Sequence, residues 1–481
     1  MVEDNLNQLR KELERELRKK GLSRRDALKL AGIGTASFLL NPSVASAATK
    51  AEASSNAKGK IVIIGGGAAG CSVASLIVNK LANPDITVIE PNPQSVSYQP
   101  GQTMIAAGIW QPDDIVGQSK DFLPSAATWI QDKVVEIDAD NNRLVTSKSG
   151  EVKYDFLIVA AGLQLNYEKI EGLSRDMIGA NGISSIYFPE GAKKTWELMQ
   201  KFVAEAKSGK KVEGVFSHPN TPIKCGGAPK KIMYLTNSRL HEAGARKNAT
   251  LTFYPNGGKM FGVPEYHDAI VKQFEARDMR WKYKHNLIGV DASKKVATFD
   301  HHYLIKGDWD EDLEEFDMIP QIKKVEVPFD FLHVTPPMSA PDVVKESALS
   351  WKRGSASKGG WVELNKETLQ HTRYPNVFSL GDVAGIPMGK TGGSIRKQYT
   401  VVAQNLISVM EGKEPTQKYG GYTVCPLITD IGTVMLAEFD WSRKPTPSFP
   451  LDPTQERWIW WMLKAYMLKP MYFHGMLKGR G

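Results

Sequence analysis

Three cysteines occur in 481 residues, and two of them have neighbours that tune a thiol. Cys225 follows Lys224 and precedes Gly226-Gly227 and a helix-forming run, Lys230 to Arg239. A cationic neighbour and a helix N-terminus both favour thiolate over thiol. Cys425 stands between Val424 and Pro426 in Tyr422-Thr423-Val424-Cys425-Pro426-Leu427, a stretch of strand character. They are 200 residues apart, so this is no local C-x-x-C turn. A thiolate brought up to a second sulfur can exchange with it and hand on two electrons. A structural disulfide is the competing reading. Cys71, in the first turn of an apolar helix, reads as a buried packing thiol.

The elements that must position such a pair begin with Lys60-Ile61-Val62-Ile63-Ile64, a buried-strand run. It enters Gly65-Gly66-Gly67-Ala68-Ala69-Gly70 and an apolar helix, Cys71 to Leu81. Gly65 permits the tight turn, Gly67 lets backbone approach a pyrophosphate, and Gly70 lets helix pack on strand. Ala68 and Ala69 stand at the helix N-terminus that receives the anion. A second strand, Ile86 to Ile89, ends at Glu90, twenty residues past Gly70 and placed to bind a ribose. Two later stretches point to FAD. Tyr154 to Gly162 is a strand ending in Ala160-Ala161-Gly162, and Asn376 to Asp382 is one ending in Gly381-Asp382. Lys390-Thr391-Gly392-Gly393 then opens a helix whose N-terminus, with Lys390, can stabilise negative charge on a reduced flavin. No metal-ligand set is read in the chain.

The second nucleotide unit of such a plan should bind NAD(P)H. Here the strand-like run Lys211 to Ser217 leads into His218-Pro219-Asn220-Thr221-Pro222-Ile223-Lys224-Cys225-Gly226-Gly227-Ala228-Pro229. Prolines remove backbone donors where a glycine-rich turn would cradle phosphate. The expectation is a βαβ framework without a nicotinamide site.

The segments Asn220 to Cys225, His333 to Asp342 and Tyr422 to Leu427 resemble the sulfide:quinone oxidoreductases, in the version found also in mitochondria. The likeness runs from about Lys60 to about Lys478. It implies an FAD enzyme that oxidises hydrogen sulfide to sulfane sulfur or polysulfide and reduces membrane quinone. It further implies that Cys225 and Cys425 are the redox cysteines, bridged by extra sulfur at rest, with sulfide attacking Cys425 and the Cys225 thiolate facing non-covalent FAD. The alternative acceptor is cytochrome c, as in the flavoprotein subunit of flavocytochrome c sulfide dehydrogenase. A non-catalytic flavin-binding protein is the reading from another class. His218, His333 and Glu438 are candidates for a general base.

From Glu456 the chain carries Arg457-Trp458-Ile459-Trp460-Trp461-Met462, then Pro470 and Met471-Tyr472-Phe473-His474. Three tryptophans within four residues cannot all face one side of a helix, so the tail reads as an interfacial membrane anchor. Val424, Tyr472 and Phe473 are weak candidates for a quinone pocket. At the other end, Ser23-Arg24-Arg25-Asp26 precedes a short apolar run and Ala45-Ser46-Ala47, resembling a twin-arginine export signal, with Ala27 in place of the usual Phe. This places the protein peripherally on the periplasmic face of the cytoplasmic membrane. The formal charge is +8, of which residues 1–47 supply +3; nothing resembles a nucleic-acid module. The expected fold is α/β, two tandem Rossmann-like domains of the glutathione-reductase-like plan. Residues 1–47 are the signal and 48–59 a linker. Residues 60–170 and 346–415 form the FAD domain, 171–345 the second domain and 416–481 the C-terminal region. A homo-oligomer is left open.

Overall fold

A computed structural model describes residues 55–311 and 314–480. The expected export signal, residues 1–47, and most of the expected linker lie outside them.

The first sheet has five parallel strands in the order Val377–Ser379, Phe156–Val159, Lys60–Ile64, Asp85–Ile89, Ala127–Ile130. Ile61, Val62 and Ile63 have no solvent exposure. β-Branched side chains covered on both faces are what a central parallel strand requires. The helix Ala68–Lys80 crosses to the next strand, packed so closely that a β-carbon at Gly70 would strike the Gly65 carbonyl. Gly65 itself turns with φ +103°. Asp382 and Glu90 therefore follow the carboxyl ends of two strands of one sheet, where α/β folds bind ligands.

A second parallel sheet runs Ile183–Ser184, Phe331–His333, Val212–His218, Ala249–Pro255, Arg280–Trp281. Its central strand Val212–His218 delivers the proline-rich loop to the helix Ala228–Glu242. Between its last strands the chain detours through an antiparallel sheet, His285–Asp291, Val296–Asp310 and Glu315–Pro328. A third antiparallel unit, Thr423–Asp430, Thr433–Phe439 and Glu456–Arg457, lays its first strand along the helix Ala228–Glu242. That packing closes the 200-residue gap between the cysteines.

The tail takes a different course from a free anchor. Trp460, Ala465, Tyr472, Met476 and Leu477 are buried, and of its large apolar side chains only Met462 and Tyr466 are strongly exposed. Along the α-helix Trp458–Met462 successive side chains point about 100° apart, so Trp460 reaches the core while Trp461 is only partly covered; two π-helical turns, Leu463–Met467 and Met471–Gly475, follow. The tail is tied to the dinucleotide domain: Ser75 Oγ donates to the Leu477 carbonyl at 2.8 Å and Lys478 Nζ to that of Asp121 at 2.6 Å. Among the described residues no helix is long and apolar enough to cross a membrane. Leu477→Ala should thus destabilise the fold by about 2–5 kcal/mol, the usual range for a fully buried leucine. An unchanged unfolding midpoint would mean that the tail is not part of the core.

Candidate functional site

Cys225 occupies the turn before the helix Ala228–Glu242 with φ +54°, a left-handed conformation uncommon for a side-chain-bearing residue. Two backbone bonds hold it there. Its N–H donates to the Lys390 carbonyl at 3.0 Å, and its carbonyl accepts from Ala228 N–H at 2.7 Å. The first bond fastens the cysteine loop to the segment that opens the helix Gly392–Met410. Cys425, 5% exposed, arrives on the strand Thr423–Asp430 opposite Ala437. Gly227 makes room for it, since a β-carbon there would stand 2.5 Å from Cys425 Sγ. The two thiols hydrogen-bond to each other, with no disulfide between them.

The electrostatics divide the pair. The hydrogen bond from Cys425 pulls Cys225 well below the ordinary thiol range, and the charges of Lys231 and Lys464 add to the fall against the cost of burial. Cys425 is driven the opposite way by its bond to Cys225 and by burial. Lys231 Nζ lies 3.4 Å from Cys225 Sγ. Burial opposes its charge, but the two sulfurs outweigh that and hold it above its ordinary value. Burial lowers Lys230 to about 8 and Lys464 to about 7. The result is a thiolate accepting from a thiol in a cationic pocket.

No sequence motif singles out Lys230, Lys231 or Lys464. Lys231 does carry a signal: a helical side chain leans toward the N-terminus, so a lysine in the first turn reaches back over the preceding loop. Lys464 carries almost none. It comes from the tail, where it is 1% exposed and donates to the Pro100 carbonyl at 3.2 Å.

The dinucleotide cradle lies alongside. No side chain caps the helix Ala68–Lys80, leaving its first backbone donors for an anion. Gly162, at φ +69° beyond Ala161, and Gly392 have nothing within 4 Å of where a β-carbon would stand. Glu90 accepts Gly66 N–H and Asn92 N–H, each at 2.8 Å, and burial raises it. Burial also raises Asp382, against the lowering charges of Lys224 and Lys390. Gly381, at φ +78°, is fixed by donation to Gln398 Oε1 at 2.8 Å. Thr391 caps the helix Gly392–Met410 by accepting from Ser394 N–H. Both ring nitrogens of His333 are buried with no protein partner. Glycine-lined space, an uncapped helix start, two carboxylates and orphaned polar atoms fit FAD.

Several single residues are placed less simply. Lys390 Nζ is committed to the Asp382 carbonyl at 2.5 Å and the Ala384 carbonyl at 3.1 Å, and sits 3.5 Å from the Trp361 ring centroid. Burial lowers it to about 7, which makes it a tethered, readily neutralised group. Burial lowers His218 to about 4 and His333 to about 3, making both neutral in ordinary buffers. Glu438 is locked by Tyr422 Oη at 2.5 Å and by Ser448 Oγ and N–H. Cys71 donates to the Gly66 carbonyl and is pushed up to about 12 by burial, as a packing thiol should be. Val424 packs on Gly393, leaving no room for a β-carbon. Tyr472 and Phe473 pack on Tyr98 and Phe122, ring centroids 5.4 and 5.3 Å apart.

Lys231→Met removes the nearest cation from Cys225. The expected outcome is that iodoacetamide alkylation of Cys225 moves to higher pH. Once that titration lies above neutral pH, the rate at neutral pH should fall about tenfold for every further pH unit. An unmoved pH profile would show that Lys231 does not set the thiolate.

The pyridine nucleotide-disulphide oxidoreductase family model matches residues 59–195. The mitochondrial sulfide:quinone oxidoreductase of Mus musculus is 37% identical over 420 residues, covering 87% of this chain and 86% of the relative. That of Dictyostelium discoideum is 36% identical, covering 88% and 86%. The solved sulfide:quinone oxidoreductase of Aquifex aeolicus superposes with a TM-score of 0.68 at 19% identity, over 87% of this chain and 92% of that one. With the fold shared and the identity sustained over most of its length, the chain belongs to the sulfide:quinone oxidoreductase family.

Proposed function

We propose that this protein oxidises hydrogen sulfide at the Cys225–Cys425 pair, uses FAD as its electron carrier and reduces a membrane quinone. The observation that carries the reading is the pair itself: two thiols from distant segments, hydrogen-bonded, one favoured as thiolate, fastened by backbone to the mouth of the cradle.

The residues divide the work. In the oxidised pair, hydrosulfide attacks the sulfur on Cys425, leaving a persulfide there as the bond toward Cys225 breaks. Cys225 departs as a thiolate, and Lys231, 3.4 Å away, stabilises that charge as it develops. Lys464 and Lys230, both titrating close to neutral pH, attract the anion and can hold or release a proton. Bound FAD supplies the acceptor for the electron pair and its onward path. A nicotinamide donor is not part of the proposal. Pro219, Pro222 and Pro229 deprive the second domain's loop of phosphate-binding donors.

Membrane contact and compartment belong to the same proposal. The strongly exposed Met462 and Tyr466, with partly buried Ile459 and Trp461, offer an apolar edge to a membrane surface. The arginine pair Arg24-Arg25 before a short apolar run supports export to the periplasmic face. The curated relatives named above are mitochondrial.

The test is an anaerobic sulfide titration of the flavin-loaded protein, followed by decylubiquinone. Sulfide should bleach the flavin and quinone should restore it. Cys225→Ser and Cys425→Ser should each cut turnover by at least about a thousandfold, as loss of a covalent nucleophile does. Retained bleaching in both variants overturns the cysteine mechanism. Reoxidation by cytochrome c and not by quinone overturns the acceptor.

A further inference from the structure

Chain order offers Lys390 to a reduced flavin, but its ammonium group already donates to the Asp382 and Ala384 carbonyls and sits over Trp361. Lys224 is held differently. It lies in the second domain's loop, immediately before Cys225. Its backbone N–H donates to Met338 Sδ at 3.4 Å. The next N–H, that of Cys225, donates to the Lys390 carbonyl at 3.0 Å, and Lys390 Nζ in turn reaches the Asp382 carbonyl. These bonds fasten the root of the Lys224 side chain to the segment of the first domain that carries Asp382.

An ammonium group has three donors to place. That of Lys224 makes one long hydrogen bond, to the Tyr187 carbonyl at 3.4 Å, with the Tyr187 ring 6.0 Å away. Asp382 mirrors it. Among the described residues no donor reaches its carboxylate, and no ion pair within 4 Å joins it to Lys224. Their charges nevertheless meet. Burial raises Asp382 and lowers Lys224, and against burial each is the other's strongest opposing influence, Lys224 acting on Asp382 ahead of Lys390. The next cations are engaged elsewhere, Arg175 over the Phe188 ring at 4.3 Å and Lys231 on Cys225. Two opposite charges from two domains, near enough to feel each other and too far to pair, call for a polar group between them. It must donate to a carboxylate and accept from an ammonium. The hydroxyl-bearing chain and the ring carbonyls of FAD offer both.

We propose that Lys224 is the cation that binds the flavin of FAD and favours its reduced form, a role that Lys390 does not fill. Two electrons taken up with one proton leave a reduced flavin with one negative charge. A cation held in the protein interior stabilises that form more than the neutral oxidised one. One loop then serves both ends of the transfer, Cys225 as the thiolate and Lys224 as the charge that receives the electrons. This role rests on FAD as the cofactor and is independent of which substrate supplies or takes the electrons, so it is tested without sulfide or quinone.

The midpoint potential of bound FAD is read by anaerobic titration against a redox dye in Cys225→Ser protein, where no cysteine pair titrates alongside. Adding Lys224→Met should lower the preference for reduced flavin by about tenfold, about 30 mV for a two-electron couple. Lys224→Arg should keep most of the parent potential. Lys224→Gln, which retains a donor and loses the charge, should fall as the methionine variant does. Lys390→Met should shift the potential less than Lys224→Met. The affinity for oxidised FAD, followed by flavin fluorescence, should change less than the potential requires of the reduced form. An unmoved potential in the methionine or glutamine variant overturns the proposal, as does an equal or larger shift in Lys390→Met. Weakened binding of oxidised FAD at unchanged potential would place Lys224 on another part of the cofactor and overturn it too.

Discussion

The structure turns on one contact, the approach of Cys425 to Cys225 across Gly227. A residue with any side chain at 227 would hold the strand Thr423–Asp430 off the helix Ala228–Glu242. The consequence is electrostatic as much as steric. A thiolate removed from water is costly unless cations and hydrogen-bond donors replace the solvent. Cys425 provides the hydrogen bond, Lys231 the nearest charge and Lys464 a further one. Each comes from a different part of the chain. The second sheet, the third antiparallel unit and the tail must all be docked before the sulfur pair acquires its character.

The same constraint explains how the two nucleotide-type units diverge. Both put a helix N-terminus after a parallel strand, the arrangement that binds anions. In the first unit the turn is glycine, and no side chain caps the helix. In the second no side chain caps the helix either, but the loop before it carries Pro219, Pro222 and Cys225. The Cys225 carbonyl is taken by Ala228 N–H and its own N–H by Lys390.

Much of this is legible in the sequence because it is local. The strand-turn-helix of residues 60–81, the acid at 90, the Asp382 segment and the two cysteine settings each depend on short-range patterns of glycine, β-branched residues and charge. What escapes is long-range. Lys464 reads as one lysine among several in an aromatic tail, and nothing nearby announces that it is buried beside a thiol. Trp458, Trp460 and Trp461 all lie on the α-helix Trp458–Met462, and packing decides among them: only Trp460 is buried, its ring 5.0 Å from that of Phe449. Chain order alone turns Lys390 toward the flavin, but carbonyls of its own loop claim its ammonium group. Periodicity finds elements; it does not find which backbone acceptors a long side chain will meet.

The tail therefore has two roles, one on each of its faces. Its exposed edge, Met462 and Tyr466, faces outward, while Lys464 two residues from each points inward to the sulfur pair. In a regular α-helix, positions 462 and 464 are about 200° apart, as are 464 and 466. Opposed faces are thus natural over this short span. The π-turn starting at Leu463 widens the helix where the lysine must pass the Pro100 carbonyl. Displacing this one turn would disturb the outward apolar edge and remove a cation from the thiolate together. The surface of the tail and the reactivity of Cys225 are coupled through Lys464, a covalent neighbour of one and an electrostatic neighbour of the other.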